Sequence, residues 1–186
     1  DTRAASIAEG VVALERRHGH SYLLVNEWLK EKHPLQQLSR KYRGYEKGTF
    51  IFDVSGSAAS ELHELAAKHE VPLIPLANAQ RNRLPVQPLE SMRIGIYQPW
   101  ISWVYDEGWL RLVLDKHGFE YTSVHNKEFR NGDPLNDKYD VLIFTSQGAS
   151  SIVNGRGGRN SSPRPGEAQT KQEYAGGIGA QGVENV

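Results

Sequence analysis

Two adjacent carboxylates and three indoles form the densest group of chemically capable side chains in the chain: Asp106 and Glu107, flanked by Trp100, Trp103 and Trp109. Acids beside aromatic walls suit a ligand that offers amines or hydroxyls together with a flat or apolar face. The same residues also have a plainer reading. Asp106 can cap a helix, both acids complement its dipole, and the indoles pack. Trp100 and Trp103 fit that reading less well, because a loop seldom carries two indoles without a partner surface. The candidate ligand-binding set is therefore Trp100, Trp103, Asp106 and Glu107.

Other chemistries are poorly equipped. A zinc hydrolase needs two or three imidazole or carboxylate ligands converging from fixed positions. The one His-x-x-Glu, His117 to Glu120, straddles a helix stop, so its side chains diverge, and the remaining histidines offer no matching third ligand. Ser146 follows a strand, yet no Gly-x-Ser-x-Gly elbow frames it. It reads as a turn serine, with a hydrolase that uses Ser146 as the weaker alternative. Gly155-Arg-Gly-Gly158 has no strand before it and no helix after it, and reads as a loop rather than a phosphate cradle. The chain has no cysteine, which removes thiolate catalysis, disulfides and cysteine zinc sites within it.

The elements that must position these residues follow from periodicity and breakers. Residues 4–17 carry Ile7, Val11 and Leu14 at helical spacing, and a second helix runs from Ser21 to Lys32. A basic, polar run covers Gln36 to Lys47. Gly48 to Val54 is a β-branched and aromatic run that predicts a buried strand. A helix from Ala58 to His69 follows, then a short extended stretch, Val71 to Leu76, whose two prolines favour a sheet edge. The resulting organisation is a helical lead-in over 1–47, a small β-α-β unit over 48–77, a linker over 78–92 and an α/β segment over 93–186. In that last segment Arg93 to Tyr97 is a strand. The helix that follows has Trp109, Leu110, Val113 and Leu114 as its core face, and Lys116-His117-Gly118 stops it. Phe119 to Val124 and Tyr139 to Phe144 are further strands, and 129–137 is a turn-rich crossing. Residues 148–175 read as loop-rich or disordered, with a helix beginning near Tyr174 to Val183.

Lys+Arg and Asp+Glu are both 22 of 186 residues, so no net field favours nucleic acid or an anionic membrane. No apolar run approaches the roughly 20 residues that span a bilayer. Asp1 to Ala5 has neither an initiator Met nor the features of a signal peptide, and the chain reads as cut from a longer one.

Arg93-Ile-Gly-Ile-Tyr-Gln-Pro-Trp100, Asp106-Glu-Gly-Trp109, His117-Gly-Phe-Glu-Tyr121, Tyr139 to Phe144 and Tyr174-Ala-Gly-Gly-Ile-Gly179 together resemble the C-terminal region of large bacterial zinc carboxypeptidase A-like metallopeptidases. In that family the catalytic domain is followed by a region similar to class I glutamine amidotransferases. The resemblance covers roughly residues 48–186, most firmly 93–144. It implies a flavodoxin-like three-layer sandwich with a parallel sheet, incomplete here and preceded by helices. It also implies a non-catalytic accessory segment of a secreted or periplasmic protein that acts in proteolysis. Zinc would belong to the parent and be bound upstream, with no cofactor in this segment. The partner would be the upstream peptidase domain, with a homo-oligomer also open. The amidotransferase cysteine has no counterpart in this chain. The competing expectation is a binding module that uses the Trp100/Trp103/Asp106/Glu107 edge for a peptide, sugar or partner subunit.

Overall fold

A computed structural model describes residues 10–100, 105–132, 134–155 and 176–186, the side chains of 78–80 apart. The chain divides into two compact units: residues 1–91 with 116–119, and residues 92–115 with 120–186. The protein is mixed α/β, with one antiparallel sheet and one small parallel sheet.

In the first unit five strands pair in the order β4-β1-β3-β2-β5, all antiparallel. They are β1 (Gly10–Leu14), β2 (Gln36–Leu38), β3 (Phe50–Val54), β4 (Ile74–Pro75) and β5 (Val86–Pro88). Two helices, α1 (Gly19–Lys30) and α2 (Gly56–Lys68), cover one face. Alternation along the strands sorts the core. Val12, Leu14, Phe50, Phe52 and Val54 meet Leu24, Val25, Trp28 and Leu62 of the helices. Val11, Ala13 and Ile51 face the other way, onto Leu38, Tyr42, Tyr45 and Val86. The two edge strands each carry a proline, Pro75 and Pro88, where a missing N–H costs no ladder bond.

Two expectations for this unit are corrected. The stretch read as a first helix is strand β1 where it is described, residues 10–14. Val11 to Leu14 are buried on both faces of a central strand, so neither a polar side nor a period of two marks them. Ile7 lies outside the described residues. The stretch read as a linker holds a 3-10 turn, Asn78–Arg83, and strand β5, which pairs with β2. The expected strand, helix and edge strand over 48–76 are present as β3, α2 and β4. They do not form a closed parallel unit, because β1 lies between β3 and β4.

The second unit is built on three parallel strands in the order β7-β6-β8: β6 (Ile94–Tyr97), β7 (Tyr121–Val124) and β8 (Val141–Ile143). Its helices are α3 (Tyr105–Lys116), α4 (Asn126–Arg130), α5 (Ala149–Asn154) and α6 (Gly179–Glu184). Tyr97, Val124 and Leu142 share one sheet face and pack against Phe129, Ile152 and Ile178. Gly95 lies on the same face, and a Cβ there would sit 2.7 Å from Leu142 and 2.9 Å from Val124, so the central strand leaves room for its neighbours. The crossing read as turns holds helix α4 and a 3-10 turn, Leu135–Asp137. The stretch over 148–175 begins with α5, and 156–175 lie outside the described residues. The helix expected near the C-terminus is α6.

The core face expected for α3 is also corrected. Trp109 and Val113 are exposed, and the one buried residue is Glu107. Glu107 accepts from Arg111 Nε at 2.9 Å, one turn on, and Arg111 Nη2 donates to Ser123 of β7. The acid is held inside by a charge-assisted pair.

Opposite the carboxyl ends of the strands, Arg93 ties β6 to β8. Its backbone N and its guanidinium both reach Asp140, the shortest side-chain contact being 2.7 Å. These bonds hold the Asp140 carboxyl down at about 2. Inside, burial pushes the Tyr97 hydroxyl up to about 12. A lowered acid contributes stability above its unfolded value, lost as pH falls through the folded one. A raised phenol contributes stability that is lost as pH rises past its unfolded value of about 10 towards about 12. Chemical denaturation across pH should therefore show two losses for this unit, one below about 4 and one above about 10. Asp140→Asn should remove the acid limb, and a limb that persists in that variant contradicts the assignment.

Candidate site at the carboxyl edge of the parallel sheet

The chain leaves β6 towards β7 on one side and comes back to β8 on the other. The edge outside the carboxyl ends of β6 and β8 is thus a topological switch point, where open parallel sheets place their ligands. Four short segments meet there: residues 97–100 after β6, 124–126 after β7, 144–148 after β8, and 176–178 ahead of α6.

Hydrogen bonds connect three of these segments. Tyr97 donates to Asn126 Oδ1 at 2.7 Å, and Asn126 Nδ2 donates to the Gly176 carbonyl at 2.9 Å. Tyr97 and Asn126 are each 1 % exposed. Arg130 Nε donates to the Gly177 carbonyl at 2.8 Å. Next to them, His125 Nδ1 lies 2.9 Å from the Gln98 carbonyl, which fixes the imidazole against the strand end. The Trp100 indole stacks on that imidazole, with centroids 4.3 Å apart and planes within 12°. Trp100 remains 47 % exposed, so part of its indole still meets solvent.

After β8 the pattern changes. The hydroxyl of Thr145 and both polar atoms of the Gln147 amide are buried, and none has a hydrogen-bond partner among the described residues. Thr145 is 8 % exposed. Leaving such groups unpaired costs about 1–3 kcal/mol each, so each marks a place where a hydrogen-bonding partner would be favourable. Ser146, between them, is exposed.

The expected site residues differ in exposure and in partners. Trp100 sits at the edge. Trp103 lies outside the described residues. Asp106 is exposed on the first turn of α3, and Glu107 is buried against Arg111. Tyr97, His125, Asn126, Thr145 and Gln147 were not expected. Their shared signal is position: each lies within four residues of a parallel strand's end.

Among the described residues no group of three or more His, Asp or Glu is placed to hold a metal, and no helix is long and apolar enough to cross a membrane. Compared with protein-family models, with curated proteins and with solved structures, the chain shows no match.

Proposed function

We propose that the parallel unit is a non-catalytic peptide-binding module of flavodoxin-like type. In this reading it is an accessory segment of a secreted or periplasmic zinc carboxypeptidase-like protein, and it presents substrate to the peptidase domain. The resemblance of residues 93–144 supports the parent, and the strand order supports the module. The carrying observation is Gln147. Its buried amide, unpaired among the described residues, has the donor and acceptor that complement a peptide group, and the hydroxyl of Thr145, two residues earlier, is in the same state. The Trp100–His125 stack offers a flat surface for an apolar or aromatic side chain. In the parent, zinc-activated water would break the bond, and this unit would hold the chain.

The reading makes stability and binding move in opposite directions. Gln147→Met replaces an unpaired buried amide by an apolar side chain of similar volume. It should hold or raise the melting temperature, because apolar replacement of buried polar groups is neutral to stabilising. It should also abolish peptide binding. If Gln147→Met lowers the melting temperature instead, the amide has internal partners and the proposal loses its main support.

A further inference from the structure

The equality of cations and anions holds for the whole chain but not for one place on it. The connection between β2 and β3 continues their pairing as a narrow ribbon. Gly48 N donates to the Leu38 carbonyl at 2.8 Å, and at the tip Tyr42 and Tyr45 exchange both backbone bonds at 2.9 Å. The two tip residues, Arg43 and Gly44, have φ of 48° and 94°. This is the two-residue primed turn, and Arg occupies a position that Asn, Asp or Gly fits better. Its guanidinium lies over the Tyr42 ring at 5.7 Å.

Arg40, Lys41, Arg43 and Lys47 are all exposed on this ribbon. Arg16, from the end of β1, joins them: a Cβ at Gly48 would sit 3.2 Å from its Nη1. Among the described residues Lys41 pairs with Glu46, while Arg16, Arg40, Arg43 and Lys47 have no carboxylate within ion-pair reach. Tyr42 and Tyr45 are half-buried against the open face of the sheet, so the ribbon is anchored. No large apolar side chain is exposed along it, so the ribbon offers charge without an apolar anchor for a lipid surface.

We infer that this ribbon binds the phosphate backbone of duplex nucleic acid without sequence preference. A two-stranded β-ribbon fits the major groove, and uncompensated Arg and Lys neutralise phosphates and release counterions. The inference is independent of the peptide site, which lies in the other unit.

The test is fluorescence anisotropy of a labelled DNA duplex with the full chain as KCl is raised. Four phosphate contacts predict that log K falls against log salt with a slope of about −3 to −4. Arg43→Gly should reduce that slope by about 0.9 without lowering the melting temperature, since glycine suits the positive φ. Adding Arg16→Gln, Arg40→Gln and Lys47→Gln should weaken low-salt binding by at least about tenfold. The inference fails if the duplex does not bind at low salt, or if Arg43→Gly leaves the slope unchanged. It also fails if anionic phospholipid vesicles or polyglutamate bind as tightly as DNA.

Discussion

Trp28→Ala is expected to destabilise the antiparallel unit by about 3–5 kcal/mol, the range for removing a large aromatic from a packed core. Trp28 is 1 % exposed. Its indole meets Phe52 edge-on at 5.5 Å and stacks on His33 at 4.2 Å, so it joins α1 to the central strand β3. Its Nε1 also donates to the Pro34 carbonyl at 3.1 Å, which fixes the turn into β2. The substitution therefore removes volume, two ring contacts and the bond that sets the β2 entry. Trp28→Phe keeps most of the volume and both faces, and should cost clearly less. Urea denaturation followed by far-UV circular dichroism separates the two variants. Equal midpoints for Trp28→Ala and the parent chain would mean that this core is not the one holding the unit.

The second large effect is expected at Gly177. A Cβ there would lie 2.0 Å from the Ile152 carbonyl oxygen, 2.6 Å from the Val153 carbonyl carbon and 2.7 Å from the Gly155 nitrogen. All three are backbone atoms, so no side chain can turn aside. The close approach is what lets Ile178 N donate to the Ile152 carbonyl at 2.8 Å and seat α6 beside α5. Gly177→Ala should cost about 1–3 kcal/mol or more by overpacking. It should also pull the Gly176 carbonyl away from Asn126, loosening the wall of the proposed site. Gly108→Ala is the control. It lies within α3 with nothing within 4 Å, and should stabilise by up to about 1 kcal/mol through helix propensity. Similar melting temperatures for the two variants would contradict the close apposition of α5 and residues 176–178.

What the sequence revealed depended on whether a local pattern coincided with the global one. Strand β3 was legible because a β-branched and aromatic run between glycines has no competing reading. The end of α3 was legible because Gly118, at φ 70°, occupies the left-handed position that a helix stop requires. Strand β1 was not. Ile7, Val11 and Leu14 match a helical stripe, whereas its strand identity comes from pairing with β3 and β4, distant in sequence. The inward face of α3 was misassigned for a related reason. Apolar residues occupy more than one side of that helix, and the Arg111 contact to Ser123 decides which side turns to the sheet.

The site was even less legible. Asn126, Thr145 and Gln147 look like ordinary turn residues, and only the strand order brings them to one edge. The acids and indoles that stood out in the sequence contribute one described member, Trp100. The basic ribbon was visible as a run of charge, but whole-chain neutrality drew attention away from it. Only the fold shows that Arg16 joins the run and that nearby acids leave four of its cations unanswered.

The peptide site proposed at the carboxyl edge of the parallel sheet is open to direct measurement. Isothermal titration of the full chain with a set of free-carboxylate tripeptides differing in aromatic content measures this. Saturable binding is predicted, strongest for aromatic-containing members. Trp100→Ala should weaken it without changing the melting temperature, and Gln147→Met should abolish it. No saturable heat with any member, or binding unchanged in both variants, would contradict the account.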